Sequence, residues 1–236
     1  MSETVVVVVP DAEVLASAVA ARLVTSIIDA QAVRGSAGIV LTGGRIAAKV
    51  LQAVQDLPAT KAIDWSRVDL YWGDERFLPV GDPERNDTQA REALLDALPL
   101  TADRVHAMPA SDGPDGDDAA AAATRYAAEI ADAHYDVLML GVGEDGHVAS
   151  VFPGHPVGQA TGKTAAVHDS PKPPPTRVTL TMPEIRTAAE VWLIASGDGK
   201  ADAVGEALGG ADLPAAHAVG TQKTLWLLDE AAAAKR

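Results

Sequence analysis

The stretch Tyr135-Asp136-Val137-Leu138-Met139-Leu140-Gly141-Val142-Gly143-Glu144-Asp145-Gly146-His147-Val148-Ala149-Ser150-Val151-Phe152-Pro153-Gly154 reads as a buried strand that empties into a glycine turn. Val137 to Leu140 is a continuous apolar run, the pattern of a strand covered on both faces. Gly141, Gly143 and Gly146 then admit positive φ and close approach of a ligand to the backbone. A tight turn at a strand end is where α/β enzymes place their chemistry, and this turn carries Asp145 and His147. Gly141-Val142-Gly143-Glu144-Asp145-Gly146 also matches the dinucleotide fingerprint G-x-G-x-x-G. Context argues against that site: it needs a full helix after the third glycine, and Pro153 limits any helix there to about two turns.

Working outward, the same strand-turn-helix rhythm recurs. Val5 to Val9 is a five-valine strand ended by Pro10, with Asp11 placed to cap a helix whose apolar spacing runs through Ile28. Gly38 to Leu41 leads through Thr42-Gly43-Gly44 into a helix from Arg45 to Val54. Val68 to Trp72 leads through the turn Gly73 to Pro79 toward a helix near Pro83 to Leu98. A helix from Ala119 through Ile130 precedes the Val137 strand, and Asp198 to Leu208 reads as a helix between strands Val191 to Ala195 and Thr224 to Leu228. Strands at Lys163 to His168 and Arg177 to Thr181 flank Ser170 to Pro175, a proline segment that should be extended. The expected fold is α/β: a three-layer, Rossmann-like, mostly parallel sheet with helices on both faces and a small antiparallel addition near 163 to 181. No internal repeat or long linker interrupts it, so residues 1–236 are expected to form one domain.

Composition narrows the function classes. Cysteine is absent, which removes disulfides, thiolate metal sites and cysteine nucleophiles. With no basic leader and no apolar run near membrane-spanning length, a cytoplasmic protein is expected. A net charge of -14 disfavours nucleic acid and anionic membranes as partners. A small anionic substrate would have to be drawn by a few converging cations and helix N-termini against a repulsive overall field. Ser111 to Asp118 imitates a calcium loop, but the twelfth position is Ala123 rather than Glu. Neither G-x-S-x-G nor H-E-x-x-H occurs, so hydrolysis here would use an activated water, and no metal is needed.

Three turns could carry chemistry. Thr42-Gly43-Gly44 fits an anion cradle, and fits an ordinary strand-to-helix turn as well when taken alone. Asp74-Glu75-Arg76 sets two carboxylates beside a guanidinium, arranged either to hold a sugar phosphate and its oxyanion or as a structural ion pair. Of six histidines, His147 differs, because Asp145 two residues away can fix its tautomer; the other reading for it is a capping or core role. Lys200 in the first turn of a helix, Lys172 in the proline segment and Arg177 at a strand start are further cations that could converge on one crevice.

These residues resemble the 6-phosphogluconolactonases, related in fold to the glucosamine-6-phosphate deaminases. The resemblance lies in the Asp74 to Pro79 turn, Asn86, the Gly141 to Gly154 block, the Pro171 to Pro183 segment and Lys200, and it spans nearly the whole chain. It implies hydrolysis of 6-phospho-D-glucono-1,5-lactone to 6-phosphogluconate, the second step of the oxidative pentose phosphate pathway, with no metal or organic cofactor. His147 would be the general base on water, Asp145 its orienting partner, and Arg76 and Lys200, with the backbone of Gly43 and Gly44, would hold phosphate or meet the oxyanion. Asp74, Asn86, Lys172 and Arg177 would complete a substrate pocket, in a monomer or weak homodimer. Where the family commonly has S-G-G-S-T-P, this chain has Thr42-Gly43-Gly44-Arg45-Ile46-Ala47; either Arg45 replaces the lost hydroxyls with a charge, or phosphate is held elsewhere.

Two rivals remain. A deaminase acting on an amino sugar phosphate continues after D-G-H with A-F-N-E-P and has D-E-Y where Arg76 stands, whereas this chain has Ala149-Ser150-Val151-Phe152-Pro153-Gly154. A sugar-phosphate sensor on this fold carries a DNA-binding helical segment, for which the strand at Val5 is expected to leave no room.

Overall fold

The structure, a computed structural model, describes residues 3–236. Its strands are β1 (Glu3–Val9), β2 (Ala37–Leu41), β3 (Val68–Trp72), β4 (Asp74–Arg76), β5 (Val137–Gly141), β6 (Thr164–Val167), β7 (Arg177–Leu180), β8 (Glu190–Ala195) and β9 (Lys223–Asp229). Its α-helices are α1 (Ala12–Arg34), α2 (Arg45–Asp56), α3 (Asn86–Ala93), α4 (Ala119–Glu129), α5 (Met182–Ile185), α6 (Ala201–Leu208) and α7 (Pro214–His217). Six strands form a wholly parallel sheet in the order β1-β9-β8-β5-β2-β3, and β4-β7-β6 form a separate antiparallel sheet.

The parallel sheet follows from its sequence. β2 and β5 are buried nearly end to end, as strands covered on both faces must be. α1 buries Leu15, Val19, Leu23 and Ile27, a stripe at helical spacing, and packs on α2, β2 and β9. Asp11 caps it by accepting from the Glu13 and Val14 amides at 2.9 Å each. The helix continues past Ile28 to Arg34 because left-handed Gly35 is the first residue able to close it. No helix among the described residues is long and apolar enough to cross a membrane.

Two local readings need correction. The Asp74 to Arg76 turn is a strand, since its backbone pairs antiparallel with Arg177 to Thr179, and long-range pairing overrides the poor strand propensity of three charged residues. The expected helix from Pro83 to Leu98 is only α3, Asn86–Ala93. Its start is set by the Glu75 carboxylate, which accepts from the Asn86 and Asp87 amides, a cap supplied from another strand and invisible in the local sequence. The antiparallel addition is therefore three-stranded, and β4 is an edge strand of it that follows β3 after the single residue Gly73.

The topology selects one crevice. The connection after β2 leads toward β3, and the connection after β5 leads the other way, toward β8. Between strands whose connections diverge, the turns splay apart at the carboxyl ends and leave room for a ligand. Thr42 Oγ1 accepts from the Gly141 amide at 3.2 Å and stitches the two turns together at this point.

Candidate active site

A cavity of about 640 Å³ opens at the carboxyl ends of the parallel strands. Thr42, Gly43 and Gly44 come from the end of β2, Asp74 and Arg76 from β4, and Gly141 to Gly143 with His147 from the end of β5. Asn86, Lys172, Arg177 and Lys200 line it too; of the residues singled out in the sequence, Asp145 is bonded to His147 and Glu75 is buried, 1% exposed, so its carboxylate does not meet a ligand as expected.

The His147 turn is closed by Gly143 N donating to His147 O at 2.9 Å and by Gly146 N donating to Gly143 O at 3.0 Å. A Cβ on Gly143 would fall onto the His147 ring and the Asp145 carboxylate, so glycine there is what lets the pair form. His147 Nδ1 lies 2.5 Å from Asp145 Oδ1, and the ring leans on Phe152 with centroids 4.6 Å apart. A carboxylate on Nδ1 assigns the proton to that nitrogen and leaves Nε2 as a base. Burial lowers the His147 pKa, opposed by the bond to and charge of Asp145; nearby Lys172 lowers it further. Burial would raise Asp145, but its bonds to the His147 ring and main chain prevail and hold it below the usual carboxylate value. The imidazole is thus neutral near pH 7 and oriented.

After His147 the chain passes through Ala149 at φ 49°, a left-handed conformation that costs roughly 1–2 kcal/mol for a residue with a Cβ. That kink turns Ser150 beneath the cavity, where its hydroxyl donates to Asp74 Oδ2 at 2.6 Å while its amide donates to Thr179 Oγ1 at 3.2 Å. Ser150 was not singled out in the sequence; its place three residues after His147 was the available signal.

The cations sort into two groups. Arg76 Nη1 donates to Glu84 O at 2.8 Å and Asn86 Oδ1 at 2.6 Å, with its Nε buried and unpartnered. Arg177 spends its donors on the Lys172, Pro173 and Pro174 carbonyls and lies 3.8 Å from Asp74 Oδ2, so it anchors the proline segment that delivers Lys172. Among the described residues, Arg45, Lys172 and Lys200 have no carboxylate within ion-pair distance. Burial lowers the Lys200 pKa, Lys172 and Arg45 add repulsion, and Glu144 and Asp145 pull the other way. Six cations, Arg45, Lys49, Arg76, Lys172, Arg177 and Lys200, and one carboxylate, Asp74, line the wall of a chain whose net charge is -14; of the six, Lys49 is ion-paired with Glu13. Gly44 offers α2 no side-chain cap, so the helix start adds its own positive end to this wall. Asn86 packs against Gly43 so closely that a Cβ there would overlap its side chain. Its Nδ2 donates to Asp74 O at 2.8 Å, so both ends of the amide serve protein groups.

A family model described as glucosamine-6-phosphate isomerases/6-phosphogluconolactonase matches residues 10–226. The chain is 58% identical to a 6-phosphogluconolactonase of Streptomyces coelicolor, over 100% of this chain and 96% of that one. It is 49% identical to a 6-phosphogluconolactonase of Mycobacterium tuberculosis, over 96% of each. Among solved structures, a 6-phosphogluconolactonase from Thermotoga maritima superposes with a TM-score of 0.86 at 26% identity, covering 96% of this chain and 100% of that one. A monomeric glucosamine-6-phosphate deaminase superposes at 0.83 with 20% identity, over 100% of both chains, and shows the shared fold alone. With its cavity at the strand ends and its sequence matched from end to end, the chain belongs to the glucosamine-6-phosphate isomerase/6-phosphogluconolactonase family.

Proposed function

We propose that this protein hydrolyses 6-phospho-D-glucono-1,5-lactone to 6-phosphogluconate through a water activated by His147. The observation that carries the reading is an imidazole in the cavity wall with one nitrogen held by a carboxylate, beside Arg45, Lys172 and Lys200, which have no carboxylate within ion-pair distance among the described residues. His147 Nε2 takes a proton from water as the oxygen attacks C1 of the lactone, and a positioned base of this kind contributes about 10²–10⁴-fold. Negative charge builds on the carbonyl oxygen, where the Arg76 guanidinium stabilises it. Collapse breaks the bond from C1 to the ring oxygen, which leaves with the proton returned from His147. Arg45, Lys172 and Lys200, with the amides of Gly43 and Gly44 at the start of α2, hold the phosphate. Asp74 and Arg177 shape the wall, and Asp145 keeps the imidazole in its productive tautomer.

The similarity to the Streptomyces and Mycobacterium lactonases supports this substrate over an amino sugar phosphate, as does the Ser150-Val151-Phe152-Pro153-Gly154 continuation. The test is 6-phosphogluconate formation from fresh lactone, measured above the spontaneous rate for wild type and His147→Ala. Acceleration by the wild type alone is expected; equal rates end the proposal, and ammonia release from glucosamine 6-phosphate would replace it.

A further inference from the structure

Beneath the cavity, out of reach of any ligand, Glu75 is 1% exposed and Arg85 2%. Glu75 Oε1 accepts from the Arg76 amide at 2.8 Å and the Asn86 amide at 2.6 Å, Oε2 accepts from the Asp87 amide at 2.9 Å, and Arg85 Nη2 stands 3.6 Å away. Arg85 is held in turn by the Leu78, Met108 and Pro109 carbonyls. Burial pushes Glu75 up to about 7, while Arg85 and the amides pull it back toward the charged form. Every donor aimed at this carboxylate is matched to an anion. They come from the two segments that present Arg76 and Asn86.

Those two side chains meet in the cavity wall at 2.6 Å, and Arg76 has no carboxylate within ion-pair distance among the described residues. An arginine free of ionic partners is well suited to meet a developing oxyanion, but it must be held by other means. We infer that Glu75, neutralised by Arg85, is a positioning residue that sets the Arg76 guanidinium by fixing the backbones of Arg76 and Asn86 together. The kinetic part of this inference rests on the proposed lactonase reading; the structural part does not.

Glu75→Gln keeps the volume but turns one acceptor into a donor facing a backbone amide. Its kcat on lactone should fall about tenfold with KM within about twofold, because misplacement of a group that acts in the transition state costs turnover rather than binding. On an Arg76→Ala background the same change should cost nothing further; an equal loss on both backgrounds overturns the inference. If Glu75→Gln fails to fold, Glu75→Asp keeps the charge but draws the carboxylate back from the Arg76 and Asn86 amides, and it is subject to the same cycle. A second readout needs no turnover: the buried Arg76 Nε–H, identified by its loss in Arg76→Ala, should give a slowly exchanging NMR signal that Glu75→Gln shifts or broadens. An unchanged signal in Glu75→Gln overturns the inference even if wild type proves inactive on lactone, an outcome that would separately remove the proposed function.

Discussion

Each end of the parallel sheet sets a histidine against carboxylates beside a cavity, and the two arrangements differ in what they leave unfinished. At the amino ends of the strands, His106 stacks on Tyr71 with centroids 4.5 Å apart, and its nitrogens lie 3.3 Å from Glu129 Oε1 and 3.3 Å from Asp69 Oδ1. Arg104 closes on Asp69 at 2.7 Å, and Arg34 and His134 both reach Asp136. Around that cavity, about 480 Å³, Arg34, His106 and His134 each have a carboxylate within ion-pair distance, while Asp132 on the same wall has none among the described residues. At the carboxyl ends, His147 meets one carboxylate through one nitrogen, and among the described residues Arg45, Lys172 and Lys200 have no carboxylate within ion-pair distance. Titratable groups are plentiful at both ends; what marks the carboxyl end is that the charged groups of Arg45, Lys172 and Lys200, and the second nitrogen of His147, have no ionic or hydrogen-bond partner among the described residues, which a substrate would supply.

Exchanging the two histidines for alanine is the strongest way to break this contrast. His147→Ala should lower lactonase kcat by about 10²–10⁴-fold, and His106→Ala should leave it within about twofold, measured by initial rates. Comparable losses would erase the distinction between the two ends.

Asp145→Asn sharpens it by removing the one carboxylate that His147 has. A loss of about tenfold or more in kcat is expected, since the amide can present the wrong group to Nδ1. The pH profile gives the sign. Burial sets His147 below its ordinary value and Asp145 lifts it back in part, so without the carboxylate the imidazole loses its proton at still lower pH. The acidic limb of kcat/KM should therefore move down, and a move up would contradict the assigned pairing.

The unpaired cations come next in size. Lys200→Ala or Arg45→Ala should raise KM by about tenfold with kcat nearly unchanged, the mark of binding used equally in ground and transition states. An Arg45→Ala enzyme with unchanged KM would take Arg45 out of the phosphate site. The smallest effect belongs to the other end of the sheet. His106→Gln should shift the unfolding free energy by under about 1 kcal/mol, because its contacts with Asp69 and Glu129 are long, at 3.3 Å each, and only partly buried.

Much of the fold could be read in the chain because strands such as Val137 to Leu140 and helices such as α1 declare themselves through spacing and caps a few residues long. The same holds for His147 and Asp145, whose pairing needs only a glycine turn between neighbours. β4 escaped such reading because three charged residues become a strand only through pairing with Arg177 to Thr179. Ser150 escaped because its meaning is a bond to Asp74, 76 residues away in sequence.

By itself the sequence determined the alternation of strands and helices, the glycine turns at their ends and the residue types gathered there, all of which follow from backbone preference and periodicity over short windows. Only the tertiary structure decided which cations remain without an acid, that Arg177 is consumed by main-chain carbonyls, and that Glu75 joins β4 to α3 beneath Arg76. These depend on distances of a few ångströms between residues far apart in the chain, which exist only once the two sheets have packed.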